Sequence, residues 1–343
     1  MDLLTALWMG KAVWVWVVFF AVVLGLLVFD LGFLNKKDHD IGVRESLGLS
    51  AFYIILALCF GGWVWFEFGP QAGKEYLTGF LIEKTLALDN IFVISMIFSF
   101  FAIPRKYQHR VLVWGILGVV ILRGIMIGVG AALVARFEWI LLIFAVFLVG
   151  TGIKMLFAKE KQPDLSDNML LKWLRNHLPV TNTLHGHSFF VKLPDPDNPN
   201  KKKRFVTPLF LALILVEFAD VIFAVDSIPA IFAITKDPYI VYTSNIFAIL
   251  GLRALYFALA AIIHRFHYLK YSLAVVLIFI GGKVLAADML GIEKVPAVIS
   301  LGVTILLLAS GILYSLWKSR DQEAGNREQG TGNRESYSPS GRP

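Results

Sequence analysis

The stretches GFLIEKTLALDNIFVISMIFSFF (79–101) and PLFLALILVEFADVIFAVDSIPAIFAI (208–234) put five acids inside apolar runs long enough to cross a bilayer: Glu83, Asp89, Glu217, Asp220 and Asp226. A carboxylate at bilayer depth costs roughly 2.5–3.5 kcal/mol. Five unpaired ones would cost on the order of 15 kcal/mol, as much as the net stability of a typical fold. These acids must be paired, protonated or bound to something, and the last two states belong to transport chemistry.

The rest of the chain supports a membrane reading. It has 343 residues, 57% hydrophobic and only 17% charged. A soluble domain averages about 45–50% apolar and about 25% charged. Apolar runs of about twenty residues, the length of a spanning helix, recur along it. The fold class expected is all-α and polytopic. Cys59 is the sole cysteine, so neither an intrachain disulfide nor a thiolate metal site is expected. A retained first span is expected rather than a cleaved leader.

Nine spans are expected, at roughly 12–33, 46–68, 77–101, 111–134, 139–157, 208–234, 243–263, 271–290 and 296–317. Alternate linkers beginning with 34–45, together with the tail, hold 22 lysines and arginines, against 5 on the other side. The net charge of +7 therefore reflects topology rather than nucleic-acid binding, and it places the N-terminus outside and the C-terminus in the cytoplasm. The expected units are 1–76 (spans 1 and 2), 77–158 (a three-span unit), 159–206 (a cytoplasmic loop), 207–291 (a second three-span unit), 292–318 (a final span) and 319–343 (a disordered tail). Within the loop, Leu170, Leu171, Trp173 and Leu174 predict a short amphipathic helix, and 189–206 predicts a β-hairpin. His185 and His187 are read as solvated loop residues.

The two three-span units repeat. Laying 83–92 over 220–229 matches Glu83 with Asp220, Asp89 with Asp226 and Asn90 with Ser227. The same order then matches Arg123 with Arg253 and Lys154 with Lys283. An odd number of spans makes the copies run oppositely through the membrane, and an inverted repeat with a site at its interface is a transporter pattern.

Residues seven apart share a helix face, so Glu83 aligns with Asn90 and Asp220 with Ser227. Asp89 and Asp226 sit about 100° round from those stripes. A break in the helix would help to gather the oxygens, and Pro229 is the expected place for one. Carboxylate, amide and hydroxyl oxygens suit Mn²⁺, Mg²⁺ or Ca²⁺ rather than copper or zinc. An alternative is that Arg123 and Arg253 neutralise two of the acids, such as Asp89 and Asp226, in buried ion pairs.

At these residues the chain resembles a known family. FLIEKTLALDNIFV (80–93), VLVWGILGVVILRGIMI (111–127), VEFADVIFAVDSIPAIFA (216–233) and TSNIFAILGLRALYF (243–257) are similar to the TerC family of bacterial membrane proteins, and to its Alx branch in particular. The resemblance covers roughly 11–317. It implies Mn²⁺ export and manganese homeostasis in a family named for tellurium resistance, and it implies Glu83, Asp89, Asn90, Glu217, Asp220, Asp226 and Ser227 as metal-site residues. Arg123, Arg253 and Lys283 are assigned as counter-charges. The expectation is thus a transporter and not an enzyme, in the bacterial cytoplasmic membrane. It has no prosthetic group, and its partners are a transported divalent cation and lipid. The alternatives are a membrane partner that assists insertion or metal-loading of exported proteins through 159–206, and tellurite or redox resistance without metal transport.

Overall fold

A computed structural model describes residues 5–32, 42–137, 139–157, 168–195, 198–259, 269–290 and 296–335. The chain is an all-α polytopic membrane protein. A two-stranded hairpin, β1 (Leu7–Trp8) and β2 (Lys11–Ala12), turns at Met9 and Gly10 and leads into α1 (Val13–Gly32). Then follow α2 (Val43–Phe68), α3 (Pro70–Phe100), α4 (Arg105–Arg136) and α5 (Ile140–Phe157). After the insert come α7 (Pro208–Phe232), α8 (Pro238–Leu250), α9 (Leu252–Leu259), α10 (Leu269–Leu290) and α11 (Ala297–Glu335). Among the described residues, seven of the rods are long and apolar enough to cross a membrane. The apolar part of α1, Val13–Phe29, is shorter, and α3 carries Glu83, Lys84 and Asp89 in its middle.

The α8–α9 rod lies at the centre, with 94% of its apolar window buried inside the protein. Around it α3 packs on α8, α4 on α7 and α5 on α10. The α5–α10 contact is backbone-close. A Cβ at Gly152 would stand 2.7 Å from the Ala274 carbonyl oxygen, and one at Gly281 would stand 2.5 Å from that of Ala145. Small residues allow this approach where no hydrophobic force drives helices together in lipid. Aromatic rings of α1 seal one end of the bundle. Trp16 meets Tyr239 edge-on, Phe19 meets Tyr242 and Phe247, and Lys11 pairs with Asp237 at 3.0 Å.

The insert matches its expected elements. α6 (Met169–His177) is capped by Asn168 and buries Leu171 and Leu174, while Trp173 stays exposed. Strands β3 (Phe190–Asp195) and β4 (Asn198–Val206) pair antiparallel, with Phe190 opposite Val206. Two expectations are corrected. Pro229 does not interrupt α7: it lies in the last turn, where the helix ends anyway at Phe232. The interruption falls instead at Gly251, between α8 and α9. The stretch expected to be a disordered tail continues α11 as far as Glu335. Extending a helix that already exists avoids the cost of nucleation, and Arg, Gln, Glu and Ala favour the helical state.

Candidate functional site

Arg123 is the largest fully buried side chain, and it organises the centre. It projects from α4 into the space where α3, α7 and α8 meet. Its Nε donates to Asp220 Oδ2 at 3.0 Å and its Nη2 to Asp220 Oδ1 at 2.8 Å, a bidentate fork on one carboxylate. Its Nη1 donates to Ser227 Oγ at 3.1 Å and to Asn245 Oδ1 at 3.0 Å, and forms an ion pair with Glu83 Oε1. Asn90 Nδ2 donates to Asp220 Oδ1 at 3.4 Å. Four expected residues, Glu83, Asn90, Asp220 and Ser227, therefore converge. They are the two stripes with seven-residue spacing, one on α3 and one on α7, turned toward each other.

The charge of this cluster does not balance. Two carboxylates share one guanidinium, which leaves either one negative charge or one proton held in its place, in a setting where Glu83 is 1% and Asp220 6% exposed. Glu83 Oε2 and Asn90 Oδ1 are buried and accept no hydrogen bond. Acceptors left over beside surplus negative charge are the polarity a cation requires.

Glu217 and Asp226 are not among the side chains bonded to Arg123. Glu217 faces α4 at Gly115 and Gly118, where a side chain at Gly118 would overlap its carboxylate, and its Oε2 is likewise buried without a donor. Asp226 turns to α5, where Thr151 Oγ1 approaches its Oδ1 at 3.5 Å and Lys154 is its charged neighbour. Asp89 lies on α3, but its side chain falls outside the described residues. Arg123 thus pairs with Glu83 and Asp220. Arg253 meets His109 of α4. Lys283 donates to Ser300 Oγ at 2.8 Å and does not join the cluster. Among the described residues, no three of His, Cys, Asp and Glu come together as a metal cage, the histidines of the insert included.

Sequence reasoning passed over Asn245. Its signal was the polar run Thr243–Ser244–Asn245 inside an apolar span. Lys84, the residue after Glu83, donates from its Nζ to the Ala248 carbonyl at 3.1 Å, beside the break at Gly251. A cavity of about 30 Å³, bounded by Asn90, Asp220, Arg253 and Leu112, adjoins the cluster on the expected cytoplasmic side. It has room for about one water, so little water fits beside the cluster on that side.

The family model of the integral membrane protein TerC family matches residues 68–323, from the end of α2 into α11. The chain is 50% identical over 301 residues to a Rickettsia bellii protein described as "Uncharacterized membrane protein", covering 88% of this chain and 96% of the relative. It is 46% identical over 305 residues to "Uncharacterized membrane protein STKORF319" of Myxococcus xanthus, covering 89% and 92%. It is 45% identical over 311 residues to the Escherichia coli K12 protein described as "Putative membrane-bound redox modulator Alx", covering 88% and 94%. No solved structure matches.

Proposed function

We propose that this chain, which belongs to the TerC family of integral membrane proteins, exports Mn²⁺ from the cytoplasm through the centre marked by Arg123. The observation that carries this reading is the uneven charge: Glu83 and Asp220 share a single guanidinium and leave carboxylate and amide oxygens without donors. A divalent ion entering between Glu83, Asn90, Asp220 and Ser227 finds hard oxygen ligands only, the set that suits Mn²⁺ or Ca²⁺. Arg123 keeps the empty site tolerable and yields one carboxylate at a time to the ion. Glu217, Asp89 and Asp226 serve the path to and from it. The membrane is the bacterial cytoplasmic membrane, with the N-terminus outside.

The packing supports an inverted repeat. The first helix of each unit lies on the second helix of the other: α3 on α8 and α7 on α4. The third helices, α5 and α10, meet each other through Gly152 and Gly281, which are matched positions in the alignment. Rocking of one unit against the other about a site at their interface is how such repeats alternate access.

A second reading, a redox role, takes its support from the description of the Alx relatives as redox modulators. The single cysteine, Cys59, offers no dithiol for it. Manganese content after loading decides between the two. Cells expressing the wild type should hold less Mn²⁺ than cells lacking it, and Asp220→Asn should abolish the difference. Equal manganese with and without the protein would remove the export reading and favour the redox one.

A further inference from the structure

The bundle end that carries Lys74, Arg136 and Lys236 has a second, partly open cavity, of about 680 Å³. Glu75 and Thr78 of α3, Lys283 and Asp288 of α10, Ser300 of α11 and Phe232 at the end of α7 bound it. It is far larger than the water-sized space on the opposite side of the cluster. One layer separates it from the centre. Glu75, Gly79 and Glu83 recur every four residues on one side of α3, so the two carboxylates are about 12 Å apart along the axis. Between them Gly79 packs against Ser244 and Ile231, and Ser244 directly precedes Asn245.

We propose that this cavity is the release chamber for the exported cation, in which Glu75 receives the ion and the Lys283 ammonium then takes its place. The inference rests on the export reading and extends it to residues outside the central cluster. Release from a site with little water beside it needs rehydration, and this volume holds on the order of twenty waters. Glu75 and Asp288 are matched in number by Lys236 and Lys283, so the lining is neutral overall and does not retain a cation. Lys283 holds the Ser300 hydroxyl at 2.8 Å and has Glu75 as its charged neighbour. A flexible ammonium with three rotatable donors can move between the two. Once on Glu75 it bars the ion's return.

Trp139 lines the chamber and supplies a direct readout. Mn²⁺ added outside proteoliposomes of the full chain should quench the part of the tryptophan emission that Trp139→Phe removes. Glu75→Gln should weaken the apparent Mn²⁺ affinity of that quenching about tenfold. Lys283→Met should strengthen it about tenfold, because the competing charge is gone, and should slow efflux. The two variants move in opposite directions, so a folding defect in one leaves the other decisive. Identical quenching curves in wild type, Glu75→Gln and Lys283→Met would overturn the proposal. Glu75-dependent quenching in a protein that does not move Mn²⁺ would uphold the chamber and overturn the export reading. Efflux without such quenching would do the reverse.

Discussion

Arg123→Gln isolates the charge argument. The glutamine retains an amide in the space but removes the cation, so Glu83 and Asp220 change from sharing one positive charge to sharing none. Removing one partner of a buried ion pair costs about 3–5 kcal/mol, and here two carboxylates lose the same partner. The variant purified in chelator should therefore be destabilised by at least about that amount. Its affinity for a divalent cation should rise, because losing a unit positive charge within about 4 Å is worth up to about 4 kcal/mol for each unit of charge on the ion at an effective dielectric constant near 20. Mn²⁺ at a hundred times its dissociation constant should then restore about 2.7 kcal/mol by mass action. Efflux should fail, since the ion binds but is not displaced. Unfolding in detergent, with chelator and with Mn²⁺, measures both effects on one sample. Two results would refute the reasoning. One is a variant as stable as the wild type in chelator and indifferent to Mn²⁺. The other is an Arg123→Gln/Asp220→Asn double variant that recovers both stability and efflux, which would make the pair a structural strut.

Asn245→Ala removes an acceptor from Arg123 and should cost about 1–3 kcal/mol, read as a lower unfolding midpoint with efflux reduced. Gly118→Ala should cost about 1–3 kcal/mol through overlap with the Glu217 carboxylate, and Gly118→Ala/Glu217→Ala should be more stable than Gly118→Ala alone. Lys11→Ala breaks a partly exposed pair with Asp237 and should change stability by less than about 1 kcal/mol; a larger loss would show that the N-terminal hairpin clamps α8. In a Cys59→Ala background, an impermeant thiol reagent applied outside should label Lys74→Cys and spare Lys203→Cys. The opposite pattern would invert the topology derived from the basic residues.

Hydropathy and acid placement were enough to identify a polytopic helical protein and to single out candidate residues, four of which the structure gathers at Arg123. Both are one-dimensional properties: an apolar run must be buried in lipid, and an acid within it is costly wherever the helix stands. Helical periodicity went one step further. It set Glu83 with Asn90 and Asp220 with Ser227 on common faces, and those four side chains are the ones gathered around Arg123. It also turned Asp226 away, toward Thr151. Periodicity gives an angle on a single helix and no information about its neighbour. The sharing of Arg123 by Glu83 and Asp220, the entry of Asn245, the bond from Lys84 to the end of α8 and the pairing of Lys283 with Ser300 all depend on how α3, α4, α7, α8, α10 and α11 are arranged. In lipid the outward faces of these helices are chemically alike, so depth can be read from composition while neighbours cannot. The choice is made by close fits such as Gly152 against Ala274 and by the need of each buried charge to meet its opposite, and both are properties of the packed bundle.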